Sequence, residues 1–459
     1  MDKRRKQKST KLYVEDADLD VMHPHAAGID VGNELHYVAV RPGDDADGHP
    51  VRSFGCFTAD LQRLAGWLKA CGVRTVAMQS TGVYWIPLFD ILEDHGLEVF
   101  LVNPRQTRNL PGRKSDVQEC QWLLKLHTHG LLKNSFHPDA EVRHLRTLWR
   151  QRSDHVRSAA RCMQRMQKAM TQMNLQLANV ISDVAGLTGQ AIIRAILAGE
   201  RDPLKLAALR HRRIEASPEQ IAASLKGNWR PDLLFILKQE MVIYDCYQAS
   251  IVECDQQLAG HLQQLPNAPV AAPVPPPSHK RQRSQGNAPA FDLRAELTRI
   301  CGVDLTRIDG IDVLNAQTIL SEVGWQMSRW KTEGHFASWL GLCPNNRISG
   351  DKVLGRSTKQ VTSRAATAFR MAANALLRSQ SYLGAQFRRL RTRLGAPKAI
   401  TAMAHRLARL VYRLLKYGHE YVDHGTAHYE ERYRAQQLKI LQKKAAQLGV
   451  ELTLPSAVN

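Results

Sequence analysis

No apolar stretch in this chain of 459 residues approaches the length needed to cross a bilayer, so membrane-spanning helices are excluded. The polar amino terminus has no hydrophobic segment of a signal peptide, and a soluble cytoplasmic protein with no membrane partner is expected. Cysteine is sparse: eight residues, with no CxxC pair and no regular spacing. That pattern fits neither a zinc ribbon nor a disulfide framework, and buried reduced thiols are the expectation. No clear internal repeat is visible. Acid is also scarce, with 43 Asp and Glu against 63 Lys and Arg, for a formal net charge of +20. Such an excess speaks to partners rather than to fold, and a polyanion is the obvious partner. Basicity for solubility alone is the bland explanation. Against it, the excess gathers in Lys3, Arg4, Arg5, Lys6, Lys8 and Lys11, in one central helix and in the carboxyl-terminal third.

At this length two or three domains are expected. Residues 1–22 are charged and unpatterned, a basic flexible arm. Over 23–136 strands alternate with helices, which implies a largely parallel sheet flanked by helices. His36 to Val40 is expected to pair with the strand around Asp30 through a turn near Gly32-Asn33. A helix over about 59–71, a strand over 73–78, a helix over about 83–95, a strand over 98–102 and a helix over about 115–129 follow. Residues 137–265 change character. Leu145, Trp149, Arg152, Val156, Ala159, Met163, Met166, Met170, Met173 and Leu177 alternate four-then-three, a coiled-coil seam interrupted by Arg152. Leu237, Met241, Tyr244, Ile251, Cys254, Leu258, Leu262 and Leu265 form a second seam able to fold back on the first. Residues 266–290, Pro-rich and then basic, read as a linker. Residues 291–452 form a mainly helical carboxyl-terminal domain. The fold class is therefore α/β followed by α.

The chemistry concentrates in Ala27-Gly28-Ile29-Asp30-Val31-Gly32, an acid isolated in an apolar strand. A buried carboxylate is costly unless its charge is compensated, and a cation compensates it. Asp116 and Glu119 sit three apart on the 115–129 helix, on one face, able to address one ion. Asp30, the end of the 73–78 strand and this helix face fit a ribonuclease-H-like arrangement with divalent metal. Singly each acid is weak: Asp116 also reads as a helix cap and Glu119 as a surface residue. Arg143, Arg146, Arg150, Arg157, Arg161, Arg165 and Lys168 fall off the first seam. A solvated face is the ordinary explanation of such a stripe, but a merely soluble helix mixes signs, and this one is almost wholly positive. It reads as a face that tracks phosphates.

Three strings carry a resemblance to a known family. Gly28 to Gly32, Ala77-Met78-Gln79-Ser80-Thr81-Gly82-Val83-Tyr84-Trp85 and Lys114-Ser115-Asp116-Val117-Gln118-Glu119-Cys120-Gln121-Trp122 closely resemble the DEDD transposases of bacterial insertion sequences, the IS one-ten group. Ser338 to Lys352 and Gly395 to Ala402 are similar to that group's second signature. The resemblance implies a RuvC-like (ribonuclease-H-like) amino-terminal domain, a coiled coil and a carboxyl-terminal transposase domain with a nucleophilic serine. It further implies strand cleavage and exchange on donor and target DNA, an element-encoded guide RNA, and a homo-oligomer, dimer or tetramer. Asp30, Gln79, Asp116 and Glu119 stand where that family holds Mg2+, as two ions with Mn2+ able to substitute. Ser349 stands where it has its nucleophile, with Arg347 and Lys352 beside it as phosphate contacts.

Two departures matter. Gln79 replaces the usual Glu, offering an amide oxygen without charge, and Glu119 replaces the usual Asp, one methylene longer. Bottom-up, Asn345 to Asp351 has loop composition, Ser-Gly is ordinarily a turn, and no Ser-His-Asp spacing accompanies it. A metal-bound phosphate beside Arg347 and Lys352 would supply activation electrostatically. Ile308-Asp309-Gly310-Ile311-Asp312 reads either as a helix-hairpin-helix that presents backbone N–H groups to phosphate or as simple helix packing, since Asp312 repels phosphate. Arg388, Arg389, Arg391, Arg393, Arg406, Arg409, Arg413 and Lys416 mark basic helices with phosphate contact or solvation as their two explanations. Tyr84 and Trp85 read as core or site-wall residues. A junction resolvase using metal-activated water and a nucleic-acid-binding protein disabled by Gln79 are the competing functions.

Overall fold

The strand that carries the isolated acid is β1 (Ala26–Val31), buried along almost its whole length. It lies at the middle of a five-stranded sheet, between β2 (Leu35–Val40) and β4 (Thr75–Gln79), with β3 (Val51–Gly55) and β5 (Glu98–Val102) at the edges. Apolar residues on both faces explain this central position, because a middle strand is covered on each side. β1, β2 and β3 are antiparallel, whereas β1, β4 and β5 are parallel. The sheet is therefore mixed rather than largely parallel. The difference comes from β3, a half-exposed edge strand whose sequence Val-Arg-Ser-Phe-Gly shows no buried alternation to announce it.

Three helices cover the sheet. On one face α1 (Thr58–Ala70) and α2 (Trp85–Asp94) bring Leu61, Leu64, Leu68, Leu88 and Leu92 against Ile29, Val76 and Met78. On the other, α3 (Asp116–Thr128) lays Cys120 and Leu124 on Ala26 and Ala39. The computed structural model describes residues 20–79, 82–104, 115–269, 287–350, 352–359, 361–418, 425–447 and 450. The basic arm up to residue 19 and most of the linker, 270–286, lie outside the described residues.

Glycine at position 28 sets how closely α3 approaches. A Cβ there would stand 2.3 Å from the Cys120 carbonyl oxygen and from the Leu124 nitrogen. Both are backbone atoms of α3, so neither can swing aside. We expect Gly28→Val to cost at least about 1–3 kcal/mol through overpacking. Hydrogen exchange should show α3 amides losing protection; unchanged protection would mean the helix has room to shift.

The chain divides into two compact units, Met1–His137 and Pro138–Asn459. The second is built on two long helices, α4 (Ala140–Gln172) and α8 (Pro231–Gln264). They run antiparallel, since His144 stacks on His261, Arg152 pairs with Asp255 and Arg165 pairs with Glu240. The seam residues are buried between them or against their neighbours, and Val156 and Cys254 are half-buried. The interruption at Arg152 is compensated: its guanidinium grips the Asp255 carboxylate with two hydrogen bonds, both side chains almost wholly enclosed. Beyond one end, α5 (Leu187–Leu197), α6 (Pro203–Ala208) and α7 (Pro218–Ser224) close a core with Met163, Met166, Met170, Leu237 and Met241.

At the other end lie α9 (Leu293–Cys301) and α10 (Val313–Val323). Arg299 donates to the carbonyls of Leu262 and Leu265 at the close of α8, and Trp149 donates to Thr318 on α10. Asp312 is the N-cap of α10, accepting from the Asn315 nitrogen at 2.7 Å. That carboxylate occupies the helix end where a hairpin motif would receive phosphate, so a phosphate would meet negative charge there. Then follow α11 (Glu333–Trp339), the hairpin β6 (Pro344–Ser349) and β7 (Lys352–Thr358), α12 (Arg364–Ala375), α13 (Tyr382–Leu394), α14 (Ala396–Tyr417) and α15 (Gly425–Gln447). All eight cysteines are free, but Cys56 and Cys246 are exposed rather than buried. Among the described residues no helix is long and apolar enough to cross a membrane.

Candidate functional site

The path of α3 over β1 fixes which residues meet. Residues preceding β1 hydrogen-bond to the far end of the helix, Met22 and His23 both donating to the Thr128 carbonyl. Gly28 lies under Cys120 and Leu124. Continuing along β1 therefore leads back toward the start of α3, whose first turn holds Asp116 and Glu119. Side chains two apart share a strand face, so Asp30 points to the same side as Gly28, the side of α3. Gln79 closes β4, one step beyond the Ile29–Met78 pair of the parallel ladder.

The thiol of Cys120 reports this geometry independently. Burial pushes it up to about 12, and the charges of Asp30 and Asp116 push it the same way. Both carboxylates thus lie within electrostatic reach of one sulfur atom. The cap of the helix does not draw on Asp116. Ser115, not Asp116, is the N-cap, taking part in a reciprocal box in which Gln118 N donates to Ser115 Oγ and Ser115 N donates to Gln118 Oε1. Asp116 is exposed, Glu119 half-buried, and both sit in the first turn, where the helix dipole favours negative charge.

Among the described residues, no group of three or more His, Cys, Asp or Glu is arranged to hold a metal ion. Asp30, Gln79, Asp116 and Glu119, the residues expected to hold one, offer only oxygens, three carboxylates and one amide, the chemistry a hard cation takes. Mg2+ is ordinarily held by one or two carboxylates together with substrate phosphates and waters rather than by a closed protein cage. The donor set fits that ion in type without forming a finished cage. Sequence reasoning overlooked Tyr37, which pairs across the strands with Asp30 and packs with the Cys120 cluster. The alternation in β2 was the available signal. Tyr84 is exposed, while Trp85 is half-buried and packs on Phe89 and His137, so only Trp85 joins the core.

In the second unit, Ser349 is the last residue of β6 and pairs with Lys352, the first of β7. The string around it forms a two-stranded hairpin rather than a loop, with a register shift between Arg347 and Ile348. Gly350 supplies the positive φ of 51° that reverses the chain. Ser349 and Lys352 are exposed, and among the described residues no base hydrogen-bonds the serine hydroxyl. The extended pairing was hidden because Asn, Arg, Ser and Gly carry little strand propensity.

The basic stripe of α4 is divided. Arg146 donates to the carbonyls of Ser321 (3.2 Å) and Glu322 (2.6 Å), and Arg150 makes a two-pronged pair with the Glu322 carboxylate at 2.9 and 2.7 Å. These two fasten α4 to α10. Arg143 is half-buried, with a long bond to the Pro138 carbonyl. Arg157 pairs with Asp154 and Arg165 with Glu240. Arg161 and Lys168 are exposed, without an ion pair among the described residues. In the carboxyl-terminal helices Arg388 donates to the Ser379 carbonyl at 2.6 Å, and Arg409 and Arg413 converge on Glu333.

Two family models match the chain. A transposase model named for DEDD and IS110 covers residues 27–175, and a model described as transposase, IS116/IS110/IS902 family, covers residues 304–388. No curated protein matches it.

Proposed function

Since the chain belongs to the IS110 family of transposases and is an enzyme of DNA transposition and recombination, we propose that it cuts and rejoins DNA with Ser349 as nucleophile and Asp30, Gln79, Asp116 and Glu119 as its Mg2+-holding set. The observation that supports the metal half is the close approach of α3 to β1 at Gly28, where a Cβ would meet the Cys120 and Leu124 backbone. The strand order β3-β2-β1-β4-β5, with its antiparallel and parallel halves, supports reading the first unit as RuvC-like. The buried alternating seam supports reading α4 and α8 as an antiparallel coiled coil.

Bound Mg2+ would supply positive charge to the scissile phosphate, for which the three carboxylates and the Gln79 amide are the donors. The chain's own part follows from Ser349. Its Oγ forms a bond to phosphorus while the bridging sugar oxygen leaves, taking up the proton that the hydroxyl gives up. Attack by the freed hydroxyl of another strand reverses the step and rejoins DNA. Exposure at a hairpin tip suits a group that must reach a phosphate on a large polyanion. A guide RNA, a homo-oligomer up to a tetramer and a cytoplasmic setting belong to the same reading and rest on the family resemblance.

Gln79 is the observation that favours a weaker copy, because an amide contributes no charge to a dication. Gln79→Glu is expected to tighten Mg2+ binding by roughly tenfold, one carboxylate's worth of charge at an exposed-to-half-buried site. Isothermal titration of the protein with Mg2+ measures this directly. An unchanged affinity would remove Gln79 from the metal site.

A further inference from the structure

In the second unit, α13 and α14 enclose a groove of about 400 Å3. Arg406, Arg409 and Arg413 line its α14 wall, and Gln386 and Leu390 face them from α13. Spaced three and four apart, the arginines share one helix face over about 10 Å. Arg409 and Arg413 are about half exposed. Tyr382 stands beside Arg406, whose guanidinium lies 5.5 Å from its ring. One turn past Arg413, Lys416 lies 5.5 Å from Tyr417, whose side is 54% exposed.

A row of guanidiniums in a concavity is how proteins follow a single-stranded backbone, and rings beside such a row, as Tyr382 is beside Arg406, can take bases. The volume suits one or two nucleotides and not a duplex, which lies across a surface instead of entering a groove. Planar guanidinium forks match phosphate oxygens in two-pronged fashion, and they match carboxylates equally well. Glu333, at the start of α11, exploits that match now. Its Oε1 accepts from Arg409 Nε and from Arg413 Nη2, each at 2.8 Å, and its Oε2 accepts from Arg413 Nε. The pairing holds the Glu333 carboxyl below its ordinary range, with Arg413 the larger cause. Among the described residues, one carboxylate between two guanidiniums leaves a positive charge uncompensated, and Arg406, without an ion pair, adds another.

We propose that the α13–α14 groove binds a single-stranded nucleic-acid backbone through Arg406, Arg409 and Arg413, and that Glu333 is an internal phosphate mimic competing for the last two. The proposal rests on the chain handling nucleic acid, but on neither Ser349 nor the acidic set. A strand entering the groove releases Glu333 from Arg409 and Arg413. Strand occupancy is thereby coupled to the α11–α14 contact.

Fluorescence anisotropy with short oligothymidylate and oligouridylate, over a range of salt, tests this in the full chain. Glu333→Gln keeps the size of the side chain while removing the competing charge, and should raise affinity several-fold. Arg406→Gln lies outside the Glu333 pair, and combined with Arg413→Gln it should flatten the logarithmic salt slope by about 0.7 per residue removed. Unaltered hydrogen-exchange protection of α13 and α14 would show that the variants remain folded. Tighter binding of one oligomer assigns the groove to DNA or to RNA. Affinity unmoved by Glu333→Gln together with an unmoved salt slope overturns the groove. Serine-dependent strand cleavage would be unaffected by that outcome, so the two readings fail separately.

Discussion

Replacing Ser349 with Ala should abolish strand cleavage and rejoining, by roughly 10^4-fold or more, as expected when a covalent nucleophile is removed. DNA retention should be unchanged. The separation is clean because of where the residue sits: exposed, at the end of β6, with its backbone paired to Lys352 and the chain reversal supplied by Gly350. Loss of one exposed hydroxyl leaves packing and register intact, and surface changes of that kind stay within about 0.5 kcal/mol of stability. A gel assay on a nicked substrate, run with denaturation to trap any protein–DNA adduct, reads both arms. Cleavage that persists in the Ala variant would transfer the chemistry to metal-activated water and make the protein a resolvase. Loss of DNA retention alongside cleavage would mean that the hairpin serves binding instead.

The second large effect concerns the helix pair. Asp255→Ala strands the Arg152 guanidinium in a nearly closed interior, and breaking such a pair costs about 3–5 kcal/mol. Replacing both partners, Arg152→Met with Asp255→Leu, restores an apolar seam and should recover most of that loss. Hydrogen exchange at the centre of α4 and α8 is the appropriate measure, since a chain of two units has no single unfolding midpoint. If Asp255→Ala leaves central protection unchanged, the pair is more hydrated than its enclosure implies. If the double replacement unfolds the helices, the pair sets register and not merely stability.

Elements with strong periodicity were legible in the sequence. β1, β2, β4, β5 and the helices α1 to α3 lie where alternation and apolar spacing put them, and the two long seams face inward on antiparallel helices. What stayed hidden depends on partners distant in sequence. β3 has no buried face of its own and exists because β2 offers an edge. The Ser349 string becomes a hairpin through pairing between polar residues, which no propensity announces. Arg146 and Arg150 looked like two members of a phosphate-tracking row, yet Glu322, more than 170 residues on, claims both. A stripe of one sign reveals excess charge but not which charges a remote carboxylate has already taken. Likewise the sequence located Asp30, Asp116 and Glu119 on their elements, whereas the close approach of α3 to β1 depends on the missing side chain at Gly28.

The antiparallel pair of α4 and α8 also behaves as a ruler. Thirty-three residues of helix span about 50 Å, with the small helices α5 to α7 at one end and α9 and α10 clamped at the other. Because the seam repeats every seven residues, a matched heptad inserted into each partner would keep the buried faces aligned while lengthening the pair by about 10 Å. Relatives that differ by whole heptads here would hold the same two end pieces at different stand-off distances, so reach can change in evolution without disturbing either tip.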